Sequence, residues 1–130
     1  MSTSFQLQNN TLKELPHNIE AEQGILGAIL LNNEIFFDIS ETINVEHFYE
    51  PVHKLIFDVI GKMISKGQIA TPITLKSFFE VEKNLEEIGG SNYLVRLANS
   101  AVSLDYAKNY AHIIYNLAVR RGLYDLGGRV

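Results

Sequence analysis

Cysteine is absent from the 130 residues, which excludes a disulfide framework, a thiolate metal site and a cysteine nucleophile. No apolar run approaches the roughly 20 residues of a membrane span. The longest, Ile25–Leu31, is far too short, and the N-terminus lacks the basic-then-apolar layout of a signal segment. The expectation is a soluble, cytoplasmic chain with no membrane partner. Positive charge is also scarce: residues 1–50 hold one lysine against eight carboxylates, and the net charge is −4. A domain that grips nucleic acid by phosphate neutralisation needs a basic face, and only the last thirty residues lean that way, with four basic and two acidic side chains. Strand-like alternation and internal repeats are missing as well. What remains is a chain about one domain long, 46% hydrophobic and therefore able to fill one core.

The stretch around which the rest is organised is Leu15–Leu31, LPHNIEAEQGILGAILL. Pro16 holds its predecessor extended, Asn18 is a good N-cap, and Glu20 and Glu22 sit in the first turn where the helix dipole favours negative charge. Ile19, Leu26 and Leu30 form one stripe, Ile25 and Ile29 another, and Ala21, Gly24 and Ala28 a third of small residues. A helix apolar on most of its circumference belongs at the centre of a fold. Gly24 and Gly27 each cost about 1 kcal/mol in a helix interior relative to alanine, so a neighbouring helix is expected to approach closely there.

Further along, Asn32-Asn33 breaks this helix, and Ile35, Phe36 and Ile39 lie on a short second one ending near Ile43. Val45–Tyr49 forms a turn that delivers Phe48 and Tyr49 to the core. Pro51 opens an amphipathic helix through Val52, Leu55, Ile56, Val59, Ile60, Met63 and Ile64, stopped by Gly67. Thr74, after Thr71-Pro72, is expected to cap the next helix, with Leu75, Phe78 and Phe79 inward. The acidic Glu80–Glu87 reads as a solvated helix end and loop. Gly89-Gly90 then stops that segment, and Ser91 is expected to cap a short helix that turns Tyr93, Leu94, Leu97 and Ala98 inward. Ser103 precedes the longest helix, Leu104 to about Leu126. Its polar stripe is narrow: Asp105, Asn109, His112, Asn116 and Arg120. Ala107, Ala111, Ile114 and Ala118 form one apolar seam; Tyr106, Tyr110, Ile113, Leu117 and Tyr124 form a second. Two seams call for two partners, and the head of the domain supplies one. The other is expected to meet a second copy or a part of a longer protein from which this chain is cut. The fold expected is all-α, a bundle of about six helices. A mobile tail over residues 1–14 leads to a compact helical head over 15–102, and one longer helix projects over 103–130.

Several landmarks occur in a familiar order. Leu15-Pro16-His17-Asn18-Ile19-Glu20-Ala21-Glu22-Gln23 with Ile25-Leu26-Gly27-Ala28 comes first. It is followed by Asp38-Ile39, His47-Phe48-Tyr49, His53, Ile56-Phe57, Ile88-Gly89-Gly90, Tyr93-Leu94, Tyr110-Ala111 and Arg121. This succession resembles the N-terminal domain of DnaB-type replicative DNA helicases over nearly all of Leu15–Arg121. The departure is at Gln68–Thr74, QIATPIT, where members of that family often carry an Asp shortly before the Thr. The resemblance implies a self-associating and primase-docking collar. Its parent would be a hexameric, ATP- and Mg-dependent helicase that works at the replication fork, its N-terminal domains pairing as a trimer of dimers. The long helix would then be the first arm of a hairpin leading to an ATPase domain, with a helicase loader and DNA as further partners of the parent ring.

Chemistry inside the chain itself is sparse. Gly61-Lys62 lacks the upstream glycine and downstream Ser/Thr of a phosphate-binding loop, with Ile56 and Met63 in those places. His17, His47, His53 and His112 lack the spacing of a helical zinc site, so His47 and His53 read as structural hydrogen-bonding groups. No catalytic, cofactor or metal residue is expected in this chain. The competing reading is a stand-alone helical nucleic-acid-binding domain, in which Lys108, Arg120, Arg121 and Arg129 meet phosphates. Tyr106, Tyr110, Tyr115 and Tyr124 would stack on bases there, with Tyr115 the most exposed. An enzyme with an unrecognised site is the least favoured class.

Overall fold

The structure is a computed structural model and describes residues 14–81 and 90–127. Among them are six α-helices, one 3₁₀ turn and no strand. In order these are α1 (Ile19–Leu31), α2 (Ile35–Ser40), the 3₁₀ turn (Val45–His47), α3 (Pro51–Ser65), α4 (Pro72–Val81), α5 (Asn92–Asn99) and α6 (Leu104–Gly127). The all-α architecture of short helices and one long one is as the pattern predicts.

Helix α1 is the centre. The Asn18 side chain accepts from the Ala21 amide at 3.0 Å, which starts the helix. Every residue from Gly24 to Leu30 is buried, and α1 packs chiefly on α6 and α5, then on α3 and α2. Its glycines explain how neighbours come so near. A Cβ on Gly27 would collide with the Leu97 carbonyl of α5 and lie 2.9 Å from the Ala101 amide, so only glycine admits that backbone. A Cβ on Gly24 would meet side chains instead, Val102 at 3.2 Å and Tyr110 at 3.3 Å. At the far end, Asn33 closes the helix and ties it to a distant loop. Its amide donates to the Ile29 and Ala70 carbonyls at 2.8 Å each, and its oxygen accepts from the Ala70 amide at 2.8 Å.

Local signals hold for α3. Pro51 is at its first turn, and Gly67 at φ +76 ends it in a Schellman motif, with the Gly67 and Gln68 amides on the Ile64 and Met63 carbonyls. Five details differ from the sequence reading. Helix α2 ends at Ser40, and Ile43 reaches the core from the following turn. Thr71, not Thr74, is the N-cap of α4. The two threonines form a reciprocal box, Thr71 Oγ1 accepting from the Thr74 amide at 3.1 Å and Thr74 Oγ1 from the Thr71 amide at 2.8 Å. That puts Pro72 at the first helical position. Phe78 is not inward: it lies on the outer side of α4, 44% exposed, while Leu75 and Phe79 are buried. Ser91 has helical backbone angles and its side chain makes no capping bond. Ala98 is half-buried rather than inward. Glu80 is exposed; the remainder of the acidic segment, 82–89, lies outside the described residues.

Candidate functional site

Two features carry functional meaning, the free side of α6 and the buried polar anchor beneath it. The anchor was not legible as a site. Glu22, expected to do no more than complement the helix dipole, is 1% exposed. Its Oε2 accepts from the Tyr49 amide at 2.7 Å, and its Oε1 accepts from the Glu50 amide at 3.3 Å. One carboxylate of α1 thus satisfies the amides that lead into α3. Its Oε1 also lies 2.7 Å from Nδ1 of His53, which is fully buried on α3. The other ring nitrogen, Nε2, is 2.6 Å from the Tyr93 hydroxyl of α5, and that hydroxyl accepts from the Gln23 amide group at 3.1 Å. The bonds assign the protons: Gln23 donates to Tyr93, Tyr93 to His53, and His53 through Nδ1–H to Glu22. Burial pushes the Tyr93 phenol above its ordinary range. Among the described residues no buried side-chain polar atom lacks a partner. An acyl-transfer or acid–base reading of this cluster has no support, because the groups are enclosed and each is used by its neighbours.

The anchor extends to α6 through Arg121. One guanidinium nitrogen donates to the Pro16 carbonyl at 2.8 Å, the other to the His47 carbonyl at 2.7 Å, and the group lies 5.5 Å from the Tyr49 ring centre. His17 stacks on Tyr49 at 3.9 Å, nearly parallel. Burial pulls Arg121 below its ordinary value, opposed by Glu22 and Tyr49. Arg121 is therefore spent on the head, which corrects its placement among nucleic-acid contacts. Lys108 is turned toward Asp38 of α2 at 4.0 Å, Arg120 is exposed, and Arg129 lies outside the described residues.

The first apolar seam of α6 faces the core: Ala107 and Ala111 are fully buried and Ile114 nearly so. The second is graded. Tyr106 and Tyr124 stand in solvent at 61% and 60% exposure, Ile113 and Leu117 are half-covered, and Tyr110 packs partly against Gly24 and Val102. Tyr115 is not the most exposed tyrosine, since its ring meets the His47 ring edge-on at 5.2 Å. Val119 and Leu123 add further exposed apolar surface near the end of the helix.

Gly61-Lys62 does not fit a nucleotide phosphate. Gly61 lies inside α3, where a Cβ would touch Phe36 at 3.0 Å, and Lys62 is paired with Asp58 at 3.0 Å. Among the described residues no group of three or more His, Asp or Glu side chains is arranged to hold a metal ion, and no helix is long and apolar enough to cross a membrane.

Residues 14–116 match the family model of the DnaB-like helicase N terminal domain. The replicative DNA helicase DnaB of Rickettsia typhi is 46% identical over 116 residues, and that of Rickettsia felis 44%. Each alignment covers 89% of this chain but only 23% and 24% of the relative, so the chain spans about a quarter of their length. The crystal structure of the N-terminal domain of DnaB helicase from Mycobacterium tuberculosis superposes with a TM-score of 0.82 at 30% identity, covering 89% of this chain and 84% of that one. The landmarks in that order, the six-helix architecture and these matches agree, and the chain belongs to the DnaB-like helicase N-terminal domain family.

Proposed function

We propose that the chain is the self-association and primase-docking collar of a replicative helicase, with no catalytic step of its own. The parent, in this reading, is a cytoplasmic hexameric ring that unwinds DNA at the fork using ATP and Mg. Its N-terminal domains pair as a trimer of dimers, and α6 is the first arm of the hairpin through which they pair. A helicase loader and DNA are partners of the ring as a whole. ATP and Mg, in this reading, serve the parent's ATPase domain. The observation that carries the reading is the α6 face itself, where Tyr106, Ile113, Leu117 and Tyr124 remain uncovered or half-covered after the head has folded. A continuous apolar stripe of this kind marks an interface, and a two-fold contact needs only one self-complementary patch.

Sedimentation equilibrium tests it. Concentration-dependent dimerisation is expected, together with its loss in Ile113→Asp while helical circular dichroism is retained. A chain monomeric at millimolar concentration, or a variant that still dimerises, would remove α6 from the interface. Tight, salt-sensitive binding of single-stranded oligonucleotides that is lost in Arg120→Ala would favour the nucleic-acid-binding alternative instead.

A further inference from the structure

The 3₁₀ turn Val45–His47 is closed by a capping box of unusual composition. The Asn44 side chain accepts from the Glu46 amide at 2.9 Å, and the return bond runs from the Asn44 amide to Nδ1 of His47 at 3.0 Å. In most such boxes a Glu or Gln takes the second role. A nitrogen that accepts an N–H carries no proton, so neutral His47 is the Nε2–H tautomer, and the one position left for a further proton is Nδ1. Protonation there removes the acceptor that closes the turn. The same residue presents the carbonyl to which Arg121 donates at 2.7 Å.

We propose that His47 and Arg121 form an acid-sensitive latch: protonation of the His47 ring opens the Asn44 box, displaces the His47 carbonyl, and frees the C-terminal half of α6 from the head. Among the described residues Ile114 is the last buried side chain of α6, and beyond it the Arg121 bonds are the polar tie to the head. The surroundings set the sign. From α6, the Arg121 guanidinium and the Tyr115 ring face His47. On its own turn Glu46 opposes them, but it lies 3.7 Å from Lys54 of α3. Around Arg121 lie Glu22 of α1, already shared by the Tyr49 and Glu50 amides, then Tyr49 and the stacked His17. Burial first, and Arg121 second, hold His47 below the ordinary imidazole value of 6.5. The closed latch is therefore complete above that pH and weakens as pH falls below it.

The latch concerns how α6 joins its own head; because Leu117 and Tyr124 also lie on the proposed self-association seam, protection is measured at concentrations where the chain sediments as a monomer. The test is nuclear magnetic resonance on the 130-residue chain. At neutral pH the His47 nitrogen shifts should report an unprotonated Nδ1. Amide protection at 117–124, corrected for the intrinsic pH dependence of exchange, should fall by up to about tenfold per pH unit below 6.5 and track the His47 titration. His47→Gln keeps an acceptor that does not titrate and should abolish the pH dependence, whereas Arg121→Gln should show the low protection at every pH. A protonated Nδ1 at neutral pH, protection unchanged through the titration, or an undiminished response in His47→Gln would each overturn the latch. If His47→Gln does not fold, the first two measurements decide.

Discussion

Glu22 shows how far one side chain's role depends on what reaches it. A glutamate in the first turn of a helix is ordinarily a solvated partner of the dipole, a minor contribution. Here α3 and the turn before it close over the carboxylate and supply three donors, so the charge is balanced by hydrogen bonds rather than by water. Glu22→Ala would orphan those donors at once. With about 1–3 kcal/mol for each unsatisfied group, moderated by their partial exposure, a net loss of about 2–4 kcal/mol is expected in denaturant melts. An unchanged midpoint would mean that solvent reaches the cluster. His53, by contrast, is where a structural histidine was expected, flanking Phe48-Tyr49, and it does serve as a hydrogen-bonding group.

At the scale of the element, α1 is specified by what it omits. Gly27 sits against a backbone carbonyl that has no freedom to withdraw, while Gly24 meets the ends of Val102 and Tyr110, which have some. Gly27→Ala is therefore expected to destabilise strongly and Gly24→Ala much less, although both gain the same helix propensity. Ala28, 2% exposed on the same strip, should lose about 1–3 kcal/mol on replacement by leucine through overpacking. Thermal melts of the three variants check the order. Equal melting temperatures for the two glycine variants would show that α5 does not approach α1 as described. Periodicity made α1 and the buried stripe of α6 legible from sequence. It misplaced Phe78: periodicity puts Leu75, Phe78 and Phe79 on one broad face, and which flank of that face is covered depends on where the neighbouring helices pack, which leaves Phe78 44% exposed.

For the whole molecule, the polar anchor joins α1, the 3₁₀ turn, α3, α5 and α6 in a core otherwise filled by aliphatic and aromatic side chains. Such a network makes stability depend on pH. The depressed folded value of His47 means the unfolded chain binds that proton more readily. Its contribution is thus fully present above about pH 6.5 and is lost as pH falls through the folded value. Melting temperature should fall across that window in the unsubstituted chain and fall less in His47→Gln. An identical pH profile for the two would assign the acid sensitivity to other groups.

Sequence alone determined the helical class, the central rank of α1, the two seams of α6 and the landmarks that match the family. All of these follow from repeating side-chain patterns along one helix or from residues in a given order. The tertiary structure decided which of those residues act together. Glu22, Gln23, His53 and Tyr93 bond across as many as 70 positions, the span from Gln23 to Tyr93, and meet only because α3 and α5 pack on α1. Arg121 reaches Pro16 across 105 positions. A hydrogen bond needs its partners within about 3 Å, and no periodicity encodes that proximity between remote segments; packing of the helices supplies it.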